Sequence, residues 1–269
     1  MIDIKLLEQL CLCNGISGDE GNVRNLIINE IKDCADDIKT DNLGNLIVFK
    51  KGKKSAKSKL MVSAHMDEVG LMVTDITSDG YLKFDEVGGI DRRVLPGKRV
   101  CVGRNGLKGV IGVKPIHLTN GDEKTAVPKM NDMYIDIGAE SREDALKYVN
   151  HGDSINFEGD FKINGKTVVT KALDDRFGCY VLINLIKSEP EYDMYFTFVV
   201  QEEVGLRGAR PAAFTVNPDF ALVIESTTAA DVAEVDVSHQ VCNLSKGATV
   251  TVMDRATVYD LSLIHISEP

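Results

Sequence analysis

Apolar positions at the start of the chain repeat with the period of a helix. They fall at 4, 6, 7, 10, 11 and 13 in the first segment and at 23, 26, 27, 28 and 31 in the second. Both spacings place the apolar side chains on one helical face. Between the two segments, Ser17 and Glu20 have the S-x-x-E spacing of a capping box. The pattern therefore predicts two helices, the second beginning at this motif.

Short apolar runs predict the strands of the fold. After a turn at Asn42–Asn45 come "LIVF", "KLMVSAH", "KTVVTKAL", "MYFTFVV" and "DFALVIES", with a helical pattern in "RFGCYVLINLIKS". From about Val69 to Ile163 glycine is frequent and the strand-like runs are short, which is typical of a small all-β module. We therefore predict an α/β fold in two discontinuous halves, residues 1–68 and 166–260, interrupted by a β-rich insert over residues 69–165.

Composition narrows the class of protein. The 269-residue chain is 43% hydrophobic, which is enough for a sizeable core, and its net charge of −10 argues against a nucleic-acid partner. The same charge argues more weakly against an anionic membrane surface, and no apolar run reaches the length of a membrane span. The six cysteines form no CxxC pair, so we expect reduced thiols and a cytoplasmic protein.

Acidic groups and one imidazole follow four of the predicted strands. These residues are His65, Asp67, Glu68, Asp174, Asp175, Glu202, Glu203, Glu225 and, further on, Asp231. Open α/β sheets gather functional groups at the carboxyl ends of their strands, so we expect these side chains to lie close together.

Close carboxylates repel one another and resist burial, so something must relieve their charge. Protonation, or ion pairs with Arg176 and Arg207, are two solutions, and a divalent cation is a better one. One histidine with Asp and Glu oxygens suits zinc, cobalt or manganese, and the surplus of acids suits two ions. Each cluster alone has a simpler explanation: a single histidine is often structural, and an acid in the position of Asp175 favours a helix N-terminus.

The motifs "SAHMDEVG", "KALDDRFG", "QEEVGLRGA" and "ALVIESTTAAD" resemble, in order and spacing, those of the dinuclear-metal aminopeptidases of the tetrahedral (TET) type. Members of this family are also labelled glutamyl aminopeptidase, deblocking aminopeptidase or cellulase M/endoglucanase. The resemblance implies a mixed-sheet zinc-peptidase catalytic domain interrupted by a small β-barrel-like (PDZ-like) insert that takes part in dimerisation.

The resemblance also implies the ligands of two divalent metal ions, zinc or cobalt with manganese possible. His65 and Glu225 match ligands of the first metal, Glu203 matches a ligand of the second, and Asp174 matches the carboxylate that bridges both. Asp175 stands where relatives have Asp or Asn and is not expected to be a ligand.

Two further acids match catalytic positions of the family. Glu202 matches the general base that takes a proton from a water molecule activated by the metals. Asp67 matches the acid that orients the His65 imidazole. The implied activity is hydrolysis of N-terminal residues from peptides, in a homo-oligomer built from dimers into a dodecamer when full length.

The end of the chain departs from the family pattern. Relatives supply a further histidine ligand and continue for tens of residues, whereas "LSLIHISEP" resembles translated adapter sequence, so we expect residues 261–269 to be a non-native tail. We do not expect His265 to be the missing ligand. A C-terminally truncated chain would expose a sheet edge and apolar faces, and we expect it to be poorly folded or weakly active.

Two other functions stay open at this point. One is a non-catalytic oligomeric or metal-binding scaffold. The other is an endoglucanase, because paired carboxylates can also hydrolyse glycosides. The histidine among the acids and the absence of tryptophan for sugar stacking favour the peptidase.

Overall fold

The computed structural model describes residues 3–121, 126–254, 257–260 and 262–263. The chain divides into two compact units, Met1–Ser226 and Thr227–Pro269. The described part of the second unit is mostly irregular, with a short 3-10 turn at Val237–His239 and an isolated bridge between Met253 and Val258. The predicted tail, including His265, lies outside the described residues apart from positions 262 and 263.

The first unit contains a five-stranded mixed sheet. Its strands, in chain order, are β1 (Asp37–Thr40), β2 (Leu46–Lys50), β3 (Leu60–His65), β12 (Met194–Val199) and β13 (Phe220–Val223). The spatial order is β1-β2-β12-β3-β13, with β3 parallel to both of its neighbours and the β1–β2 and β2–β12 pairs antiparallel. The predicted turn before β2 is confirmed, because Asp41 Oδ1 accepts the N–H groups of Leu43, Gly44 and Asn45.

Helices cover the sheet. They are α1 (Ile4–Leu12), α2 (Gly21–Ile31), α4 (Leu173–Lys187) and α5 (Ala209–Val216). The main core contains apolar side chains of α1, α2 and α4 together with those of the central strands β2, β3 and β12. The two N-terminal helices form as their apolar spacing predicts, with Leu6, Leu10 and Ile27 buried.

The insert is a closed barrel. Its strands are β4 (Gly70–Ile76), β5 (Leu82–Val87), β6 (Arg99–Val102), β7 (Leu107–Val113), β8 (Met133–Asp136) and β9 (Ser154–Phe157), in the order β4-β5-β8-β7-β6-β9. A short helix, α3 (Arg142–Ala145), packs its Ala145 into a second apolar core inside the barrel. The predicted fold class, a mixed α/β sheet with a small β-barrel insert, is confirmed, and the predicted domain boundaries stay a prediction.

Two local predictions were wrong. Thr167–Val169 forms β11, whose one partner among the described strands is β10 (Lys162–Asn164), outside the main sheet. The cause is the Asn164–Gly165 turn, in which Gly165 has a φ of 62° and closes a tight hairpin. The capping box was also wrong: α2 begins at Gly21, and its N-cap residue Glu20 makes no capping hydrogen bond through its side chain.

No helix in the described part of the chain is long and apolar enough to cross a membrane.

Candidate active site and metal centre

His65 lies at the end of β3 with 2% of its side chain exposed. Its Nε2 atom is 3.0 Å from Asp174 Oδ1, 3.6 Å from Glu225 Oε1 and 3.9 Å from Glu202 Oε2. The imidazole therefore faces three carboxylates that come from distant parts of the chain. Its Nδ1 atom lies 3.4 Å from Asp67 Oδ1 but is not aligned for a hydrogen bond with any partner in the described structure.

Asp67 is a fully buried carboxylate with protein donors on both oxygens. Its Oδ1 accepts the backbone N–H of Glu202 at 3.0 Å, and its Oδ2 accepts the N–H of Glu203 at 3.1 Å. The Ser17 hydroxyl donates to the same Oδ2 at 2.5 Å. Asp67 thus connects the residues after β3 with those after β12, where the adjacent acids Glu202 and Glu203 leave the sheet.

Asp174 reaches the site from the start of α4, not from the end of a sheet strand as predicted. The residues Asp174 and Asp175 have non-helical backbone angles, and regular helix follows them. Asp175 is buried, and its oxygens accept the N–H groups of His65 at 3.2 Å and Gly178 at 3.0 Å. It therefore stabilises backbone, and it belongs to neither group of candidate metal ligands.

Among the residues that the structure describes, two groups of side chains have ligand atoms within 4.8 Å of one another: His65, Asp174 and Glu225, and His65, Glu202 and Glu203. One imidazole with carboxylate oxygens is a donor set that zinc, cobalt and manganese accept. All six sequence-predicted site residues therefore lie in one neighbourhood, five within these two groups and Asp67 directly behind His65. Asp231 belongs to the second unit, where it accepts the N–H of Leu244.

The carboxylates carry more negative charge than nearby protein cations offset. Burial, and then Asp174 and Glu202, raise the pKa of Glu203 to about 7. Burial, reinforced by the Glu225, Asp67 and Asp174 carboxylates, also raises the pKa of Glu202. Both shifts are expected where like charges share a half-buried site.

The same carboxylates favour the charged form of His65. Burial lowers the pKa of His65, but the carboxylates of Asp174, Asp67 and Glu225 outweigh burial and hold it far above its ordinary value. The pKa of Asp174 is lowered, because its interactions with His65 and Glu225 outweigh its burial. The acids therefore attract positive charge to Nε2, the position where a divalent cation would replace the proton.

Neither arginine considered in the sequence analysis offsets this charge. Within the described residues, the ion pairs of Asp174, Glu202 and Glu225 are with His65 alone. Arg176 is fully buried and donates to the backbone carbonyls of Leu10, Cys13, Gly15 and Met66. Arg207 is exposed and donates to the carbonyl of Val204.

A pocket of about 290 Å³ opens beside Asp174 and Glu203. Its wall includes the apolar side chains of Val69, Phe157 and Leu173. Glu68 and Lys171 also line it, and they form a largely buried ion pair, with Lys171 Nζ 2.8 Å from Glu68 Oε1. The site therefore has room for a substrate group next to the acids.

The sequence did not indicate that Ser17 and Lys171 support the site. It also did not indicate that Arg176 binds backbone carbonyls. Ser17 was assigned to a helix cap, and nothing in the sequence pairs it with Asp67. Lys171 directly precedes the "ALDDR" segment, so its position in the motif was the available signal.

Comparisons with known proteins agree with this geometry. Residues 44–266 match the model of the family described as M42 glutamyl aminopeptidase. The lysyl aminopeptidase of Pyrococcus furiosus is 35% identical over 240 residues, which is 85% of this chain and 68% of that protein.

Two solved structures extend the similarity. The TET1 peptidase of Pyrococcus horikoshii, described as assembling into a tetrahedron or a large octahedral shell, is 44% identical with a TM-score of 0.76, over 85% of this chain and 72% of that one. A structure from Thermotoga maritima described as an endoglucanase is 43% identical with a TM-score of 0.74, over 86% and 68%.

The family match covers most of the chain, and the two solved structures share its fold. The chain belongs to the M42 glutamyl aminopeptidase family, and it is an enzyme of the aminopeptidase class of hydrolases.

Proposed function

We propose that this protein is a metal-dependent aminopeptidase that removes N-terminal residues from peptides by means of two divalent ions, zinc or cobalt. The observation that carries the proposal is the convergence of His65, Asp174 and Glu225, whose ligand atoms lie within 4.8 Å of one another. Bound ions would polarise the scissile carbonyl group and lower the pKa of a water molecule.

The ligands divide between two positions. We assign His65 and Glu225 to the first ion, Glu203 to the second and Asp174 to both. The 3.0 Å and 3.6 Å distances from His65 Nε2 to Asp174 and Glu225 support the first set. Asp174 and Glu203 line the same pocket, which supports the second.

Glu202 is our candidate for the general base. Its backbone N–H is bound to Asp67, and its carboxylate lies 3.9 Å from His65 Nε2, at the edge of the ligand cluster. The raised pKa of Glu202 brings its proton affinity closer to that needed near neutral pH. In this role Glu202 takes a proton from water and passes it to the nitrogen of the leaving amine.

Asp67 orients the reaction centre without touching the substrate. Its Oδ1 lies 3.4 Å from His65 Nδ1, so its negative charge favours the ring orientation that presents Nε2 to the ligand cluster.

The substrate is a peptide with a free N-terminus. A protonated α-amine would be attracted by the acidic cluster, whereas an internal peptide bond carries no such charge. We also propose a cytoplasmic homo-oligomer that reaches a dodecamer through dimers. The described assembly of the Pyrococcus horikoshii neighbour into a tetrahedron or octahedral shell supports an oligomer, and a solved structure 40% identical to this chain is described as a dodecamer.

Chelation and a single substitution test this function together. EDTA should abolish release of p-nitroaniline from aminoacyl p-nitroanilides, and zinc or cobalt should restore it. Glu202→Gln should reduce turnover by about 10³-fold or more while the metal content stays at the wild-type level, because the amide cannot accept the proton. Wild-type turnover in this variant would remove Glu202 as the base.

The EDTA treatment, applied with a second substrate, separates the two alternatives. If this chain were an endoglucanase, as the Thermotoga neighbour is described, it would hydrolyse a soluble β-glucan, and that activity would persist in EDTA. A non-catalytic scaffold would bind metal but release neither product.

A further inference from the structure

The polar side chains of the S-x-x-E motif, residues 17–20, form hydrogen bonds next to the candidate metal centre and do not cap helix α2. Ser17 is 5% exposed, and its hydroxyl donates to Asp67 Oδ2 at 2.5 Å. Glu20 is 4% exposed, and its Oε1 accepts the N–H groups of Gly18 at 2.8 Å and Gln201 at 3.1 Å. Both polar side chains are therefore directed at the ends of β3 and β12.

The backbone fixes the Ser17 hydroxyl beside Asp67. The N–H of Ser17 donates to the carbonyl of Glu68 at 3.3 Å, and the N–H of Glu68 donates to that of Gly15 at 3.0 Å. These bonds form an isolated parallel bridge between Ile16 and Glu68. Ser17 is thus held by paired backbone, so its hydroxyl limits where the Asp67 carboxylate can move.

Together the two carboxylates bind three consecutive N–H groups after β12. Glu20 accepts from Gln201, while Asp67 accepts from Glu202 and Glu203. Gln201 has a φ of 55°, a conformation that non-glycine residues seldom adopt unless their surroundings hold it. The direction in which Glu202 and Glu203 leave the sheet therefore depends on these acceptors.

We propose that Ser17 and Glu20 are positioning residues, which hold Asp67 and the 201–203 backbone so that Glu202 and Glu203 face the metal centre. The proposal rests on the function proposed above and adds two residues to the machinery. Both side chains are buried and hydrogen-bonded to protein groups, so each acts through the orientation of another group.

Ser17→Ala is the first test. We expect kcat to fall about tenfold while KM stays within about twofold, as for other residues that support metal-site groups. The affinity for Co²⁺, measured by competition with a chelating dye, should weaken by a similar factor. Ser17→Thr keeps the hydroxyl and should restore most of both quantities.

Ser154→Ala is the matched control. Ser154 is also buried, and its hydroxyl donates to a carboxylate of the same loop, Asp19 Oδ2, at 2.6 Å. Removing it deletes an equivalent hydrogen bond that does not lead to the metal centre. Ser154→Ala should lower the unfolding temperature about as much as Ser17→Ala does, with kcat and Co²⁺ affinity unchanged.

Glu20→Ala and Glu20→Gln provide a second pair, which decides the matter if Ser17→Ala does not fold. Glutamine keeps an oxygen that accepts the Gln201 N–H, so Glu20→Gln should retain most of the activity that Glu20→Ala loses. Equal activity in both, or a Ser17→Ala variant indistinguishable from Ser154→Ala, would overturn the positioning role alone. A wild-type chain that neither binds Co²⁺ nor cleaves aminoacyl anilides would instead overturn the proposed function.

Discussion

At the scale of single residues, the site depends on buried carboxylates whose oxygens accept several hydrogen bonds. Asp67 shows this best: a hydroxyl and two backbone N–H groups donate to it, and His65 faces it. Burial raises the pKa of Asp67, but the interactions with His65 and Ser17 outweigh burial and keep its pKa below the ordinary value. Asp67 is therefore a fixed negative charge behind the imidazole.

Asp67→Asn removes that charge and turns one acceptor oxygen into a donor that faces an N–H group. We expect metal affinity and kcat to fall about 10- to 100-fold, the range known for partners of metal-ligating histidines. Metal affinity by chelator competition and steady-state kinetics measure the two effects.

Asp75→Asn is the control for this variant. Asp75 also lies beside a histidine, with Oδ1 3.3 Å from His151 Nε2, but this pair is exposed on the barrel. Wild-type kinetics in Asp75→Asn are expected. A similar loss in both variants would mean that Asp67 has no specific role.

At the scale of secondary-structure elements, hydrogen bonds from Arg176 connect helices α1 and α4 with the end of β3. Its guanidinium binds carbonyls at the end of α1, in the following loop and just after β3. Arg176 lies on α4, directly after Asp174 and Asp175. The side chain thus fixes the start of α4 relative to the end of β3.

Arg176→Met removes the guanidinium that donates to four backbone carbonyls, those of Leu10, Cys13, Gly15 and Met66. We expect the free energy of unfolding to fall by about 3–5 kcal/mol, since a buried charged hydrogen-bonding group is lost. Urea denaturation measures the change. Arg207→Met should cost less than about 0.5 kcal/mol, because that side chain is exposed.

Elements differ in how well sequence predicts them. β3 and β12 are apolar runs within the main core, so their positions and the acids after them follow from the pattern. Thr167–Val169 has the same composition, but a local hairpin takes its hydrogen bonds, so Asp174 arrives from a helix start. Ser17 and Glu20 fit a helix cap equally well in sequence. Only the parallel bridge to Glu68, a long-range contact, directs the Ser17 hydroxyl to Asp67.

At the scale of the whole molecule, the barrel and the sheet differ in whether they have an edge strand. The barrel is closed and has no free edge, whereas β13 is the last strand of the sheet and pairs with β3 on one side. Leu222 and Val223 of β13 are 52% and 56% exposed. An exposed apolar edge of this kind promotes association between chains.

Leu222→Lys places a charge on that edge and should shift the chain from aggregates toward smaller species. Size-exclusion chromatography with light scattering measures the change. Val110→Lys is the matched control, since Val110 is a 45% exposed residue of β7 within the closed barrel. Equal effects of the two substitutions would contradict a role for the sheet edge.

The most direct test of the metal centre is an anomalous-difference map from crystals grown with zinc. We expect one peak about 2.0–2.2 Å from His65 Nε2 and from oxygens of Asp174 and Glu225, and a second peak between Asp174 and Glu203. Maps with no peak in this cluster, and His65 Nε2 still bound to Asp174 at saturating zinc, would contradict the account.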